Sequence, residues 1–394
     1  MNIRTITAGA READIDRAAR AARLARERLE AAGYVVQSLR LALSLSGSNR
    51  CADFATVAQG AEQQALDAGF DCVSIGQADI ERLGQLPEGI TATQALFASA
   101  RIAGPDGRAD HATIRAASQA IVAISTATDG GFGNMRFAAS ACVAPGSPFF
   151  PAAYHHGDAP WITVGPEAAA LAVQAAELRI ENEKMKHEPD HVSFSILNSH
   201  FSILTALIEQ YDAGIGKALK AVEAETGIPF AGCDWSLAPR PDPTCSIGVA
   251  IEALSGAPFG AWGTLAAVRG LTGAIRAARV THAGFSGVML PVLEDPILAQ
   301  RNVEGRYSLR DLLAFSAVCG TGLDTIPLPG DSAPDQIAGV LEELAALAGA
   351  LRKPLTARLL PLPGLRAGDM TAFAAISDSP MAGDLCDSRV MSID

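Results

Sequence analysis

Three short segments of the chain place ionisable side chains among apolar residues, where catalytic groups of α/β proteins usually lie. The first is FFPAAYHHGD, residues 149–158, with the adjacent histidines His155 and His156. Either imidazole could transfer a proton near neutral pH, and Tyr154 and Asp158 could bind a ligand beside it. Adjacent residues of an extended chain point to opposite sides, so we expect at most one histidine to face a site. The alternative is an ordinary polar loop.

The second segment is CDWSLAPRP, residues 233–241. Alternation along a strand places Asp234 and Ser236 on one face and Cys233 with Trp235 on the other. We therefore expect Asp234 to act in catalysis and Ser236 to orient a substrate, while the other pair packs in the core. The alternative is that Asp234 is a strand-end acid that caps the following turn.

The third group consists of two acids, Glu294 and Asp295, which follow an apolar run, and of the CGTGLD motif at residues 319–324. Glu294 is predicted to be a second catalytic carboxylate, and Asp295 and Asp324 are predicted to bind substrate. Cys319 is the less favoured nucleophile, because a thiol just past the carboxyl end of a helix lacks the positive dipole that lowers a thiol pKa. The alternative for Glu294 and Asp295 is to cap the next helix.

An H-E-x-x-H pattern at His187, Glu188 and His191 has to be considered as a zinc motif, with Glu209 downstream as a third ligand. The motif requires both histidines on one helical face. Pro189 lies between them, removes a helix hydrogen bond and disfavours helical geometry at Glu188. The sequence favours a solvated connector over a metal site.

Composition excludes several classes of protein. The 394 residues carry 31 Lys and Arg against 43 Asp and Glu, a net charge of −12, which is the wrong sign for a nucleic-acid partner. Sequence patterns for a P-loop, a dinucleotide-binding fold and a nucleophile elbow are missing. No apolar run is long enough to span a membrane, and the amino end is charged by residue 11, so we expect a cytoplasmic protein with no membrane partner. Seven cysteines without a C-x-x-C pair indicate reduced thiols.

Apolar runs alternate with helical patterns along the whole chain, which predicts a single α/β domain over residues 1–394. The charged residues 181–191 are the predicted hinge. Ten strands are predicted, at residues 3–7, 34–45, 72–76, 121–126, 161–164, 231–237, 284–292, 324–328, 355–360 and 370–376.

Several motifs resemble one family along most of the chain. They are NIRTITAG, FFPAAYHHGD followed by WITVGPE, SLAPRP, GVMLPVLED and SAVCGTGLDTIPLPGD. These segments resemble domain of unknown function family 711, formerly uncharacterised protein family 0210. The resemblance implies a pyruvate formate-lyase-like fold, a ten-stranded α/β barrel of two five-stranded halves with helices outside, and a homodimer. The tail GDLCDSRVMSID lacks the glycine stretch that radical enzymes of that fold require, so no glycyl radical is expected.

The expected function is a non-radical enzyme that acts on a small polar metabolite by acid/base chemistry. Lyase-like cleavage or isomerisation at a carbonyl or carboxylate is predicted, and the sequence indicates no particular cofactor. Two alternatives stay open: a regulatory protein that binds the ligand without turnover, and a metal-dependent hydrolase that uses His155 or His156 with Asp158, or the histidine pair at residues 187–191. All of these predictions require distant segments to line one cavity.

Overall fold

A mixed sheet of ten strands forms the centre of the computed structural model, which describes residues 1–44, 53–186, 194–373 and 385–394. The strands are β1 (Asn2–Ala10), β2 (Val35–Val36), β3 (Leu39–Leu43), β4 (Cys72–Ala78), β5 (Leu96–Ala103), β6 (Phe137–Ala141), β7 (Trp161–Pro166), β8 (Phe230–Cys233), β9 (Gly322–Pro329) and β10 (Leu355–Leu362). The α-helices are α1 (Ile15–Ala31), α2 (Phe54–Asp67), α3 (Ile80–Thr91), α4 (His111–Ala127), α5 (Ala169–Lys186), α6 (Phe194–Thr226), α7 (Ile247–Ser255), α8 (Thr264–Ala277), α9 (Pro296–Val303), α10 (Leu309–Ser316) and α11 (Pro334–Leu351).

The sheet consists of parallel groups that run in opposite directions. The order is β8-β7-β1-β3-β4-β5-β6-β10-β9, and β2 pairs with β1 outside this path. Strands β1, β3, β4, β5 and β6 are mutually parallel, whereas β7 and β10 are antiparallel to their neighbours β1 and β6. One end of the sheet therefore combines the amino ends of the central strands with the carboxyl ends of the outer ones.

Isolated bridges connect both outer strands to the segment at residues 282–291. Cys233, at the end of β8, bridges His282, and Leu237 just beyond it bridges Val288. On the other outer strand, Asp324 of β9 bridges Pro291. The edges of the sheet are thus covered by one intervening segment that has no regular strand of its own.

Buried apolar side chains hold the helices against the sheet. All eight residues of β9 and all eight of β10 are buried, as expected for strands with both faces covered. Helix α4 buries Ile114, Ala117, Ile121 and Ile124, a spacing of three or four residues that forms one helical face. This spacing explains why the predicted strand at 121–126 is wrong: these residues continue α4.

The predicted number of strands agrees with the structure, but the set of strands differs. Strands β5 and β6 were not predicted, since small residues dominate their LFASARIA and FAASA sequences and carry little strand propensity. The segment 284–292 forms only isolated bridges, and Met370 forms one bridge to Arg389. Of the predicted hinge, residues 181–186 continue α5 and the rest lies outside the described residues.

Candidate functional site

A cavity of about 780 Å³ opens at the end of the sheet where the amino ends of β3, β4 and β5 meet the carboxyl end of β7. Asp234, Ser236 and residues 238–242, which follow β8, line the same opening. The charged residues of its lining are Arg4, Arg40, Arg240, Arg358, Glu167, Asp234, Asp242 and Glu294. So many ionisable groups in one concave site are typical of a binding or catalytic site.

Irregularities in the sheet accompany two of these arginines. The register between β1 and β7 shifts between Ile3 and Thr5, so that both Arg4 and Thr5 line the cavity. The register between β10 and β9 shifts between Ala357 and Leu359, around Arg358. A β-bulge interrupts the alternation of side chains and re-aims a residue, which is how bulges commonly serve functional sites.

Six of these charged residues alternate in sign along one wall, and the buried Asp324 behind the wall continues the series. In order they are Asp242, Arg240, Glu167, Arg4, Glu294, Arg358 and Asp324, and we call them the charge ladder. Its ends are tight, because Arg240 lies 3.0 Å from Asp242 and Arg358 lies 2.7 Å from Asp324. The ladder contains four carboxylates and three guanidinium groups.

The middle of the charge ladder is looser than its ends. Glu167 lies 3.7 Å from Arg240 and 3.9 Å from Arg4, and Arg4 lies 3.9 Å from Glu294. Arg4 also donates a 2.7 Å hydrogen bond to the carbonyl oxygen of Pro239. These separations exceed hydrogen-bonding distance, so the Arg4 guanidinium is only loosely engaged by carboxylates.

Arg358 links the cavity to a carboxylate buried behind it. Its Nε donates to Asp324 at 2.7 Å, and its Nη2 donates to Glu294 at 2.7 Å. Burial raises the pKa of Asp324 against the opposing effect of Arg358. Burial alone would lower the pKa of Arg358, but the two carboxylates outweigh it and raise that pKa. Asp324 does not line the cavity, and its contact with the lining is its hydrogen bond to Arg358.

Arg40 stands apart from the charge ladder. Its Nε donates to Ser38 Oγ at 3.1 Å, and its guanidinium lies 5.4 Å from the centre of the Phe150 ring. Among the described residues, no carboxylate lies within ion-pairing distance of it. Burial lowers the pKa of Arg40, but a guanidinium still keeps its proton at neutral pH. The cavity wall thus carries a guanidinium that no carboxylate of the described residues holds in an ion pair.

Asp234 and Ser236 face the cavity, while Cys233 and Trp235 are fully buried, as alternation along a strand predicts. Asp234 accepts hydrogen bonds from the backbone N–H groups of Ser236, Phe285 and Ser286 and from the Ser236 hydroxyl. Burial raises the pKa of Asp234, and these hydrogen bonds oppose the increase. The contacts match the alternative reading of Asp234, an acid that fixes a turn.

Glu294 is better placed for proton transfer. Its Oε1 accepts the hydrogen bond from Arg358, and its Oε2 lies 3.9 Å from Arg4 at the cavity wall. Within the described part of the chain, Oε2 accepts no hydrogen bond. The oxygen is therefore available to a ligand proton.

Residues 154–158, which contain the two histidines, lie at the opposite end of the sheet and do not line this cavity. Tyr154 donates to the Val143 carbonyl, His156 is exposed, and Asp158 pairs with Arg11 at 2.9 Å on the surface. His155 is buried, and its backbone N–H donates to the carbonyl of Leu43 at the carboxyl end of β3. Burial lowers the pKa of His155.

The course of the chain explains why the histidines lie away from the cavity. Phe149 and Phe150 line the cavity, and the residues after them run over the sheet, where Ser74 in the middle of β4 donates to the Ala153 carbonyl at 2.6 Å. The segment therefore starts at one end of the strands and places its histidines at the other. The phenylalanines, which were not predicted as site residues, belong to the cavity.

Asp295 and Cys319, two further residues predicted to belong to the site, lie in the protein interior and have structural roles. Asp295 is fully buried and accepts hydrogen bonds at the N-terminus of α9, from Ile297 and Leu298, and at that of α7, from Ile247 and Gly248. It is the cap that the alternative reading predicts. Cys319 is also fully buried, and its sulfur accepts from the Gly322 N–H at 3.3 Å. Neither residue lines the cavity.

Residues 1–44, 53–186, 194–373 and 385–394 show neither a metal-binding cluster nor a membrane-spanning helix. They contain no group of three or more His, Cys, Asp or Glu placed to hold a metal ion. The H-E-x-x-H pattern at residues 187–191 lies outside the described residues, so the hydrolase alternative stays a prediction. No helix within those ranges is long and apolar enough to cross a membrane.

The arginines of the cavity were missed, although the sequence carries a signal for them. Arg40 interrupts the apolar run LRLAL, and Arg358 interrupts LTARLLPL. Arginine is rarely buried unless it is paired or functional, so a single arginine inside a strand predicted to be buried marks a charged interior.

Fold and cavity together describe a mixed α/β protein with an arginine-rich polar site. The family model for "Uncharacterised ACR (DUF711)" matches residues 1–378, so the chain belongs to that family. A UPF0210 protein of Pyrobaculum islandicum is 30% identical over 335 residues, which cover 82% of this chain and 71% of the relative. The UPF0210 protein MK1214 of Methanopyrus kandleri is 27% identical over 85% of this chain and 74% of its own. A UPF0210 protein of Pyrobaculum arsenaticum is 34% identical over 59% of this chain and 51% of its own.

Proposed function

We propose that the protein is a non-radical enzyme that binds a small anionic metabolite in the arginine-rich cavity. The observation that carries the proposal is Arg40, a guanidinium at the cavity wall without a carboxylate partner among the described residues. A partly desolvated cation without a counter-ion attracts an anion strongly, because the low local dielectric amplifies the attraction. Arg4, which carboxylates engage only at 3.9 Å, can assist in binding.

Glu294 is the proposed acid/base group. Its free Oε2 faces the site that Arg40 and Arg4 define, and Arg358 fixes its other oxygen. A carboxylate held in this way can remove a proton next to the carbonyl or carboxylate of a bound anion and return it elsewhere. Isomerisation or lyase-like cleavage is the reaction class that follows. A second candidate, binding without turnover, is favoured by Glu167 and Asp234, whose oxygens are already used within the protein.

The experiment is a metabolite-pool incubation read by mass spectrometry, with the wild type, Glu294→Gln and Arg40→Gln. The enzyme proposal predicts that one anionic metabolite is consumed by the wild type, retained unchanged by Glu294→Gln and not retained by Arg40→Gln. Recovery of the same ligand unchanged from the wild type would support the binding protein instead. Equal retention by Arg40→Gln would overturn the proposed site.

We further propose that the sheet closes into a ten-stranded barrel of the pyruvate formate-lyase type, as the family resemblance implies. The support is the pair of bridges from residues 282–291 to both outer strands, with hydrogen bonds from Leu237 N to Gly287 O at 3.0 Å and from Val292 N to Asp324 O at 3.1 Å. Hydrogen exchange tests it: the amides of Leu237 and Val292 should exchange as slowly as those of β9. Exchange at the rate of exposed loops would contradict closure.

A further inference from the structure

We propose that the ligand of this cavity carries a single carboxylate on an otherwise apolar body. This inference rests on the proposed anion site at Arg40 and names the class of molecule that the site selects. Two independent features support it: the charge available to a ligand, and the surface that surrounds Arg40.

One arginine of the lining, Arg40, is left without an ion-paired carboxylate among the described residues. The three arginines of the charge ladder share four carboxylates, and Asp234 adds a further acid. Of the four arginines that line the cavity, Arg40 alone has no carboxylate within ion-pairing distance in the described residues. A second negative charge on the ligand would compete with Glu294 and Glu167 for Arg4, and an incompletely paired charge in a desolvated site is costly. A monoanion therefore fits better than a dicarboxylate or a phosphate dianion.

The surface around Arg40 is apolar. Cys72 lies directly opposite Arg40 in the pairing of β3 with β4. The ring of Phe150 lies against the guanidinium, and Phe97 packs edge-on to Phe150 with 5.3 Å between the ring centres. Cys72 and Phe97 are half-buried and line the cavity, so part of each side chain is free to contact a ligand. Burial raises the pKa of Cys72 to about 11, so this thiol is neutral and belongs to the apolar wall.

The size of the cavity extends the same conclusion. Phe149 and the buried Met135 and Met289 continue the apolar lining beyond Phe97. A cavity volume of about 780 Å³ is in the range of sites for drug-sized ligands. It greatly exceeds the volume that an acid of two or three carbons would fill. Methionine and phenylalanine surfaces favour aromatic or aliphatic bodies through area burial and sulfur–aromatic contacts.

Isothermal titration with matched acids tests the inference on the full chain. The probes are 3-phenylpropionate, its neutral amide, phenylsuccinate, succinate, acetate and inorganic phosphate. We expect 3-phenylpropionate to bind at least about tenfold more tightly than its amide, phenylsuccinate, succinate or phosphate, since one charge-assisted interaction corresponds to a factor of ten or more.

Variants show which side chains provide the affinity for 3-phenylpropionate. Arg40→Gln should weaken 3-phenylpropionate about tenfold or more, whereas Arg101→Gln, at an exposed arginine of β5, should leave its affinity unchanged. Phe97→Ala should weaken 3-phenylpropionate several-fold and leave acetate unaffected, and Phe97→Leu should restore part of the loss. The leucine variant also shows that a loss in Phe97→Ala comes from the lost contact and not from misfolding.

The outcomes separate this inference from the proposed function. If succinate or phosphate binds more tightly than 3-phenylpropionate and requires Arg40, the inference is overturned while the anion site stands. If 3-phenylpropionate and its amide bind equally and Arg40→Gln changes nothing, both the inference and the anion site fail. If Phe97→Ala binds 3-phenylpropionate as tightly as the wild type, the apolar wall is refuted. The inference then fails, while the anion site at Arg40 stands.

Discussion

The two ends of the sheet carry polar residues of different kinds. At the cavity end, four arginines and four carboxylates from distant parts of the chain line one concave space. At the opposite end, adjacent histidines and Asp158 are concentrated in one segment, yet His155 is buried against the sheet and His156 with Asp158 faces solvent. Clustering along the sequence therefore did not indicate clustering in space. Single charges within buried strands were the better indicator of a site.

The largest expected difference between the ends is in stability. Replacing Asp324 by Ala removes one of the two carboxylates that lie 2.7 Å from the buried Arg358 and should lower the free energy of unfolding by about 3–5 kcal/mol. Asp324→Asn keeps an oxygen for Arg358 Nε and should lose less. Asp158→Ala removes a surface ion pair from a side chain that is 93% exposed and should change little. Urea unfolding measures all three, and equal losses at the two ends would refute the contrast.

Asp234 separates a structural role from a catalytic one at the cavity end. Asp234→Ala leaves the N–H groups of Phe285 and Ser286 without their acceptor and should destabilise the fold by about 2 kcal/mol or more. Asp234→Asn retains one acceptor oxygen and should recover part of this loss. Denaturant unfolding gives the stability, and ligand binding by Asp234→Asn gives the function. Full stability in Asp234→Ala would show that the turn does not depend on this carboxylate.

Arg40 should show the reverse pattern to Asp324. Because Arg40 has no carboxylate partner among the described residues, Arg40→Gln should leave the unfolding midpoint nearly unchanged while it weakens anion binding about tenfold or more. Thermal melts with and without 3-phenylpropionate measure both quantities. A variant that loses stability as much as Asp324→Ala would place Arg40 in the structural framework.

The smallest expected effect is at the histidine end and depends on pH. Burial lowers the pKa of His155 below its ordinary value of 6.5, so the unfolded chain takes up a proton there before the folded chain does. The free energy of unfolding should therefore fall as the pH drops below about 6.5. His155→Gln should flatten this slope between pH 7 and pH 5, and the exposed His156→Gln should not. Equal slopes in the wild type and His155→Gln would refute the assignment.

Much of the fold could be predicted from the sequence. Pro334 and a regular apolar stripe in the sequence predict a helix at the observed bounds of α11, and most strands from β7 onward lie near their predicted places. The failures have physical causes: the apolar run at 121–126 suits a helix face as well as a strand, and the small residues of β6 give no strand signal. The homodimer, the cytoplasmic location and the barrel closure stay predictions.

The candidate site was less predictable than the fold. Asp234, Ser236 and Glu294 were expected to face a cavity and do line one. The bulges that accompany Arg4 and Arg358 depend on pairing between strands far apart in the chain, which local patterns cannot reveal. The same holds for Asp295 and Cys319, whose burial follows from tertiary packing and not from their neighbours in sequence.

The most direct measurement of the central claim is a crystal structure of the full chain with 3-(4-bromophenyl)propionate, located by the anomalous signal of bromine. The account predicts the carboxylate at hydrogen-bonding distance from Arg40, the bromophenyl ring against Phe97, and no bromine peak in Arg40→Gln crystals. A ligand bound away from Arg40, or an unchanged peak in the variant, would contradict it.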